Sequence, residues 1–486
     1  MQKLKLIIPD MRKFFMSGIN TENTSCGMDM TSGSLWKKIF LFSIPLMMSQ
    51  VLEVLFNMSD VAVVGKFASY EALGAVGSTT ILVTLFTGFL IGMGCGVNVI
   101  VARQLGARQH KDLKDTIQTA FILCLIVGII VSIICISCAH LLLNLLNTKE
   151  ELIDGAMLYF RIYALGMPAM AVYNFGNAVM SAGGDTKRPL LYLFIAGIVN
   201  VCLNLIFVIG FRLAEQGVAM ASIISQYISA TLIMTNLLRR NDVCKLRLSQ
   251  VRINKNAAKA ILMLGIPAGI QNAIFAIANL FIQTGVNSFD SVMVSGNSAA
   301  ANFDALIYNV MSAFYTACSS FMGQNMGAGN KKRMLHSYFI SIAYSFCAAG
   351  ILGTVLFVFG RQLLSLFTSE PAVIDAGMAR IKIMAFSYAV SAFMDATIAA
   401  SRGIGKSVVP TIIVISGSCV FRVAWVYTIF AYFHSIPSLY LVYVFSWTIT
   451  AIAEITYFAY SFKHLTYFNK THTQKSFLFL MGIFSY

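Results

Sequence analysis

The sequence predicts an all-α polytopic membrane protein: twelve transmembrane helices in two six-helix lobes, related by a pseudo-two-fold axis along the membrane normal. Three observations carry that prediction. Apolar runs of bilayer-spanning length recur along the chain, Lys and Arg gather on alternate loops, and the second half repeats the first. Hydrophobic residues make up 58% of the 486 and charged residues 11%, with a mean hydropathy of +0.76. Soluble proteins carry about 25% charged residues. A disordered chain, a coiled coil, a secreted disulfide scaffold and an ordinary cytosolic enzyme are therefore excluded.

A helix needs ~20 apolar residues to cross the hydrocarbon core. On that basis the spans fall at roughly 37–65, 72–101, 115–141, 152–181, 188–211, 216–238, 258–288, 294–323, 336–360, 373–401, 408–433 and 437–462. An outer-membrane barrel would instead show alternating segments of ~10 residues. The N-terminus has Lys3, Lys5, Arg12 and Lys13 but no apolar core of signal-peptide length, so residues 1–36 read as a cytoplasmic tail. Residues 37–238 then form the N-lobe, 239–257 a basic cytoplasmic linker, 258–462 the C-lobe and 463–486 a C-terminal tail.

The net charge of +15 would suggest nucleic acid in a soluble protein. Here the basic residues sit in short loops, so the expected partner is the bilayer and not nucleic acid. Assigning each to a side places 27 of 35 on one face, including Arg103, Arg108, Lys111 and Lys114 after span 2 and Arg239 to Lys259 after span 6. By the positive-inside rule that face is cytoplasmic, both termini are inside, and the protein belongs in the plasma (inner) membrane. Among the ten cysteines, Cys95, Cys124, Cys135, Cys202, Cys318, Cys347 and Cys419 lie in apolar runs. Cys135 and Cys138 form a lone C-x-x-C inside a helix, so the cysteines read as small packing residues without a metal or redox role.

The halves match at an offset of 221. Leu105-Gly106-Ala107 pairs with Met326-Gly327-Ala328, Ile153-Asp154 with Ile374-Asp375, Gly184 with Gly405 and Pro189 with Pro410. Ile44-Pro45 pairs with Ile266-Pro267 at 222. A repeat with an even number of spans gives two lobes of one orientation, which suits a transporter that rocks them about a central site.

Function is then expected where the repeats disagree. Span 1 carries Gln50, Glu53, Asn57 and Asp60 on one helical face. The position of Asp60 corresponds to Phe281 or Ile282 in span 7, with no acid. Asn200 and Asn204 in span 5 correspond to Phe421 and Trp425, whereas Asp395 in span 10 corresponds to Asn174 in span 4. A carboxyl inside a bilayer costs on the order of 2.5–3.5 kcal/mol and marks a functional site by default. Asp60 can exchange a proton or hold a monovalent cation; its plainer role is a hydrogen bond to a neighbouring helix. Glu53 faces a vestibule or caps an arginine. Asp304 and Glu454 read as members of ion pairs, with Arg161 and Arg422 as deep partners. Gln271 and Gln283 in span 7 join Gln50, Glu53, Asn57, Asn174 and Asp395 as candidate substrate-cavity residues. No phosphate loop, nucleophile–base pair or metal cluster appears within the spans, so neither ATP nor enzymatic chemistry is expected and no cofactor is called for. Rings of like charge that would mark a channel are missing too.

Several stretches resemble the multidrug and toxic-compound extrusion (MATE) family: Ser43-Ile44-Pro45, Asn57-x-x-Asp60-x-x-x-x-Gly65, Gln104-Leu105-Gly106-Ala107, Tyr173-Asn174-Phe175, Gly184-Asp185-Thr186-x-x-Pro189, Gly323-Gln324-Asn325-x-Gly327-Ala328-Gly329 and Arg402-Gly403-x-Gly405-Lys406-Ser407. The resemblance covers about 34–465 and points to the bacterial DinF-like and NorM-like members. It implies a monomeric secondary antiporter that exports amphipathic organic cations in exchange for H⁺ or Na⁺. It also implies an ion site built from Asp60, Tyr159, Asn177, Asn200, Asn204 and Ser222. Some members carry Asp where this chain has Asn204, which should weaken Na⁺ binding and leaves the coupling ion open. Ser181 stands where the family often has Arg. The alternative within the same superfamily is a flippase for a lipid-linked oligosaccharide or another lipid, whose cavity would be lined with Arg and Lys.

Overall fold

The computed structural model describes residues 26–465 except 147 and 251. The remaining tail residues, with Lys3, Lys5, Arg12, Lys13, Lys470 and Lys475, lie outside the described residues. Every regular element described is helical: α1 Leu35–Phe67, α2 Tyr70–Gly106, α3 His110–Leu145, α4 Glu150–Ala164, α5 Met167–Ala182, α6 Lys187–Gly210, α7 Ala214–Arg239, α8 Lys255–Asn287, α9 Ser291–Gly327, α10 Lys331–Leu364, α11 Pro371–Gly403, α12 Val408–Phe433 and α13 Ile436–Lys463.

Among the described residues, ten of these helices are long and apolar enough to cross a membrane. The pair α4 and α5 makes an eleventh span, bent by 44°. The helix expected over 152–181 is thus broken, because Pro168 enters the first turn of α5 without an N–H to donate. Tyr227 Oη donates to the carbonyl of Leu165 at the break, 3.2 Å away. The remaining helix, α9, matches α2 in length at 37 residues but carries Asn297, Asn302, Asp304 and Asn309, which lower its apolar character.

Contacts group the chain into two units. One holds residues 26–29, Ile44–Thr79 and His110–Asn254; the other holds Met30–Ser43, Thr80–Gln109 and residues 255–465. In the first unit, Ala169 and Val172 of α5 pack with Ala230 of α7, backed by Phe121 and Leu125 of α3. In the second, a larger core runs from Ile282 and Met311 through Met384 and Ala396 to Tyr440 and Phe458.

The duplication appears in the backbone. Gly184 and Gly405, paired at 221, both take positive φ (88° and 83°), which glycine adopts without steric cost. Gly106 lies so close to Gln324 that a Cβ there would sit 1.9 Å from its carbonyl oxygen, and Gly327 stands in the same relation to Arg103. Both residues of the second contact are displaced by 221 from those of the first. Such a reciprocal contact is what two-fold related helices make.

Outside the apolar runs, Cys26 and Cys244 form a disulfide. The reading of all ten cysteines as packing residues fails for these two, because their pairing across 218 residues leaves no local signal.

Candidate functional site

Gly197 sets the approach of α1 to α6: a Cβ there would meet the Phe56 ring at 1.9 Å. One turn on from each of those residues, the polar groups of the two helices face each other. Asn204 Nδ2 donates to Asp60 Oδ1 at 2.5 Å and to Asn200 Oδ1 at 3.2 Å. Asn200 Nδ2 donates to Ser222 Oγ of α7 at 3.4 Å, and Ser222 Oγ donates to Asp60 Oδ2 at 3.0 Å. The four side chains close a ring. A π-helical turn, Ile206–Gly210, begins two residues after Asn204, a feature frequent at functional sites.

Asn200, Asn204 and Ser222 are buried, and Asp60 is half-buried. Every hydrogen-bond acceptor in the ring is a hard oxygen, and Asn204 Oδ1 is buried with no hydrogen-bond partner among the described residues. Such a set suits a proton or a hard monovalent cation better than a soft metal. Protonation would also be felt by the ring. A proton on Asp60 Oδ2 forces the Ser222 hydroxyl to turn its hydrogen elsewhere, since two donors cannot face each other across one bond.

Of the six residues expected at an ion site, four therefore meet. Tyr159 is buried and stacks on Tyr163 at 6.0 Å. It makes no hydrogen bond to the ring among the described residues. Asn177 accepts from Ser181 Oγ at 3.2 Å and likewise stays outside the ring.

The cavity candidates divide. Glu53 and Asn57 are exposed on α1 and Gln50 is half-buried. Asn174 donates to the Met170 carbonyl one turn earlier in α5, 3.0 Å away. In the second unit, Gln271 is buried and accepts from Arg402 Nη2 at 2.9 Å and from Thr411 Oγ1 at 3.4 Å. Gln283 donates to Asn287 at 2.8 Å and accepts from Asn297 at 3.4 Å. Gln271 and Gln283 are twelve residues apart on one helix, about 18 Å at 1.5 Å per residue, and do not share a site. Asp395 is buried, with Oδ2 lacking a hydrogen-bond partner among the described residues.

The ion-pair readings need correction. Asp304 is paired, but with Arg380, a residue of α11 that sequence reasoning passes over. Arg380 Nε donates to Asp304 Oδ2 at 3.1 Å and Nη2 to the same oxygen, while Tyr388 Oη donates to Oδ1. An acid and an arginine in separate spans are the available signal; which arginine cannot be read from spacing. Glu454 is fully buried, and among the described residues neither carboxyl oxygen has a hydrogen bond or ion pair. Arg161 is exposed and donates to the Ile136 carbonyl at 3.3 Å. Arg422 is buried, donates to Ser446 at 3.2 Å and Asn279 at 3.4 Å, and stacks over Tyr443 at 4.6 Å.

Duplicated halves of membrane-spanning helices, with an acid inside a span held by amides and a hydroxyl, define a polytopic membrane transporter. The sequence profile of the MatE family matches twice, over residues 45–206 and 267–428. A curated protein of Bacillus subtilis (strain 168), "Probable multidrug resistance protein YpnP", is 31% identical over 361 residues, covering 74% of this chain and 80% of its own length. "Probable multidrug resistance protein NorM" of Thermotoga maritima is 25% identical, covering 78% and 82%. A solved structure described as the outward-facing conformation of a multidrug resistance MATE family transporter of the MOP superfamily has a TM-score of 0.84 at 22% identity, covering 92% of this chain and 100% of that one. The chain belongs to the MatE family. Its members are transporters, and the protein is a multi-pass membrane transporter and not an enzyme.

Proposed function

We propose that the protein is a secondary active antiporter that exports amphipathic, mostly cationic organic compounds in exchange for H⁺ or Na⁺, with Asp60 as the coupling carboxyl. The observation that carries this reading is the closed ring of Asp60, Asn204, Asn200 and Ser222. Ion entry discharges Asp60 and loosens the ring, and α1, α6 and α7 repack; alternating access follows from that repacking. Glu53 supports a cationic substrate, since acids inside spans almost always face the bundle interior or a water-filled cavity and not lipid. Aromatic faces in the cavity would add ~0.5–2 kcal/mol of cation–π attraction. No cofactor beyond the coupling ion is invoked, and a monomer suffices.

The protein sits in the plasma membrane with both termini cytoplasmic, as the loop charges support. The multidrug resistance names of the two relatives above favour compound export over lipid flipping. The test is ethidium flux in proteoliposomes under an imposed pH gradient, an imposed Na⁺ gradient, both or neither. Flux driven by one gradient supports the reading. Equal flux under all four conditions overturns it.

A further inference from the structure

The disulfide between Cys26 and Cys244 is built into its surroundings. Cys26 is 5% exposed and Cys244 0%. Arg240, itself buried, donates through Nη2 to the Cys26 carbonyl and through Nε to Asp242 Oδ2 at 2.8 Å, and lies 3.7 Å from Asp185. Asp242 Oδ1 accepts from the Cys244 amide at 2.9 Å. The backbone of residues 26–28 is seated on the α5–α6 turn: a Cβ on Gly27 would lie 2.7 Å from the Gly183 carbonyl, and one on Gly184 would lie 2.5 Å from the Met28 amide nitrogen. All of these residues belong to the first unit.

Both cysteines lie outside the spans, next to segments whose charge assigns them to the cytoplasm. Thiols there are kept reduced by glutathione, so a cytoplasmic disulfide in a mesophile is usually a redox-responsive one. The position matters as well. The chain passes into the second unit after Asp29, three residues beyond Cys26, and again after Asn254, ten residues beyond Cys244. The bond ties together two segments that both lead from one unit into the other.

We infer that Cys26 and Cys244 are a reversible thiol pair whose oxidation fastens the N-terminal strap, residues 26–29, to the segment between α7 and α8 and slows transport. The oxidant is a low-molecular-weight disulfide of the glutathione type. One cysteine thiolate attacks it, forming a mixed disulfide and releasing one small thiol. The second thiolate attacks the mixed disulfide, forms the Cys26–Cys244 bond and releases the second. Two electrons pass from the cysteines to the oxidant, and the two protons end on the two small thiols. Because both sulfurs are buried, exchange requires the strap to lift, so the reduced protein samples an open strap.

The effect on transport rests on the antiporter reading; the latch itself does not. The experiment treats the full chain in proteoliposomes with reduced or oxidised glutathione. It measures ethidium flux, the linked 26–244 peptide by mass spectrometry, bound zinc, and hydrogen exchange of residues 26–29. Oxidation should produce the linked peptide, slow the exchange of the strap and lower flux several-fold, with reduced glutathione reversing all three. Cys26→Ser and Cys244→Ser should keep the reduced-state flux and lose the response. Absence of the linked peptide after oxidation overturns the inference, as does equal flux in the two states of an active protein. One zinc per chain with both thiols free also overturns it, since Asp242 lies with the two sulfurs within 4.8 Å and would complete a metal site. If flux fails in every state the antiporter reading is at fault, and strap exchange alone decides: redox-dependent exchange supports the latch and equal exchange sinks it.

Discussion

Asn204 donates its amide to the Asp60 carboxylate at 2.5 Å across 144 residues of chain, and the same nitrogen holds Asn200. One amide therefore serves as the junction between α1 and α6.

Replacing that junction tests the ion preference. Asn204→Asp places a second carboxyl against Asp60, and two like charges at hydrogen-bond distance are relieved by a bound cation. The variant should gain more stability from Na⁺ than the parent does. At ion concentrations about 100 times Kd the gain is about 2.7 kcal/mol, visible as an upward shift in Tm. Identical melting with Na⁺ and with a bulky organic cation would contradict this.

Arg380 and Asp304 behave as a structural pair. Arg380→Ala leaves the half-buried Asp304 carboxylate without its cation and with Tyr388 as its remaining donor, which should cost up to about 3 kcal/mol. The yield of folded protein in detergent should fall sharply. The double change Arg380→Met with Asp304→Leu should recover most of that yield. A double variant as damaged as the single one would show that the pair does more than hold α9 to α11.

The reciprocal glycines predict a matched pair of defects. Gly106→Ala and Gly327→Ala should each lower Tm, with overpacking costs of about 1–3 kcal/mol. Gly350→Ala, where a Cβ meets nothing within 4 Å, should be neutral or stabilising by about 0.5–1 kcal/mol. Equal tolerance at all three positions would argue against the close crossing of α2 and α9.

Much of this is legible in the sequence because it depends on local properties. Apolar length, loop charge and a fixed repeat offset are written residue by residue, and they give the spans and the duplication. Asp60, Asn200 and Asn204 stand out because polar groups one turn apart in an apolar helix share a face. Pairings between distant helices are not legible. Nothing in the spacing ties Asp304 to Arg380 and not to Arg161 or Arg422, or joins Cys26 to Cys244. Tyr159 and Asn177 enter by resemblance, and neither is hydrogen-bonded into the ring. The break before α5 is written in Pro168, but the apolar run continues through it and conceals it.

The coupling role of Asp60 stands or falls on ethidium efflux by Asp60→Asn. The amide keeps the size of the side chain and removes its exchangeable charge. Expression and melting should stay normal while efflux drops to background. Efflux at the parent rate, under the same gradient, would show that transport does not need this carboxyl.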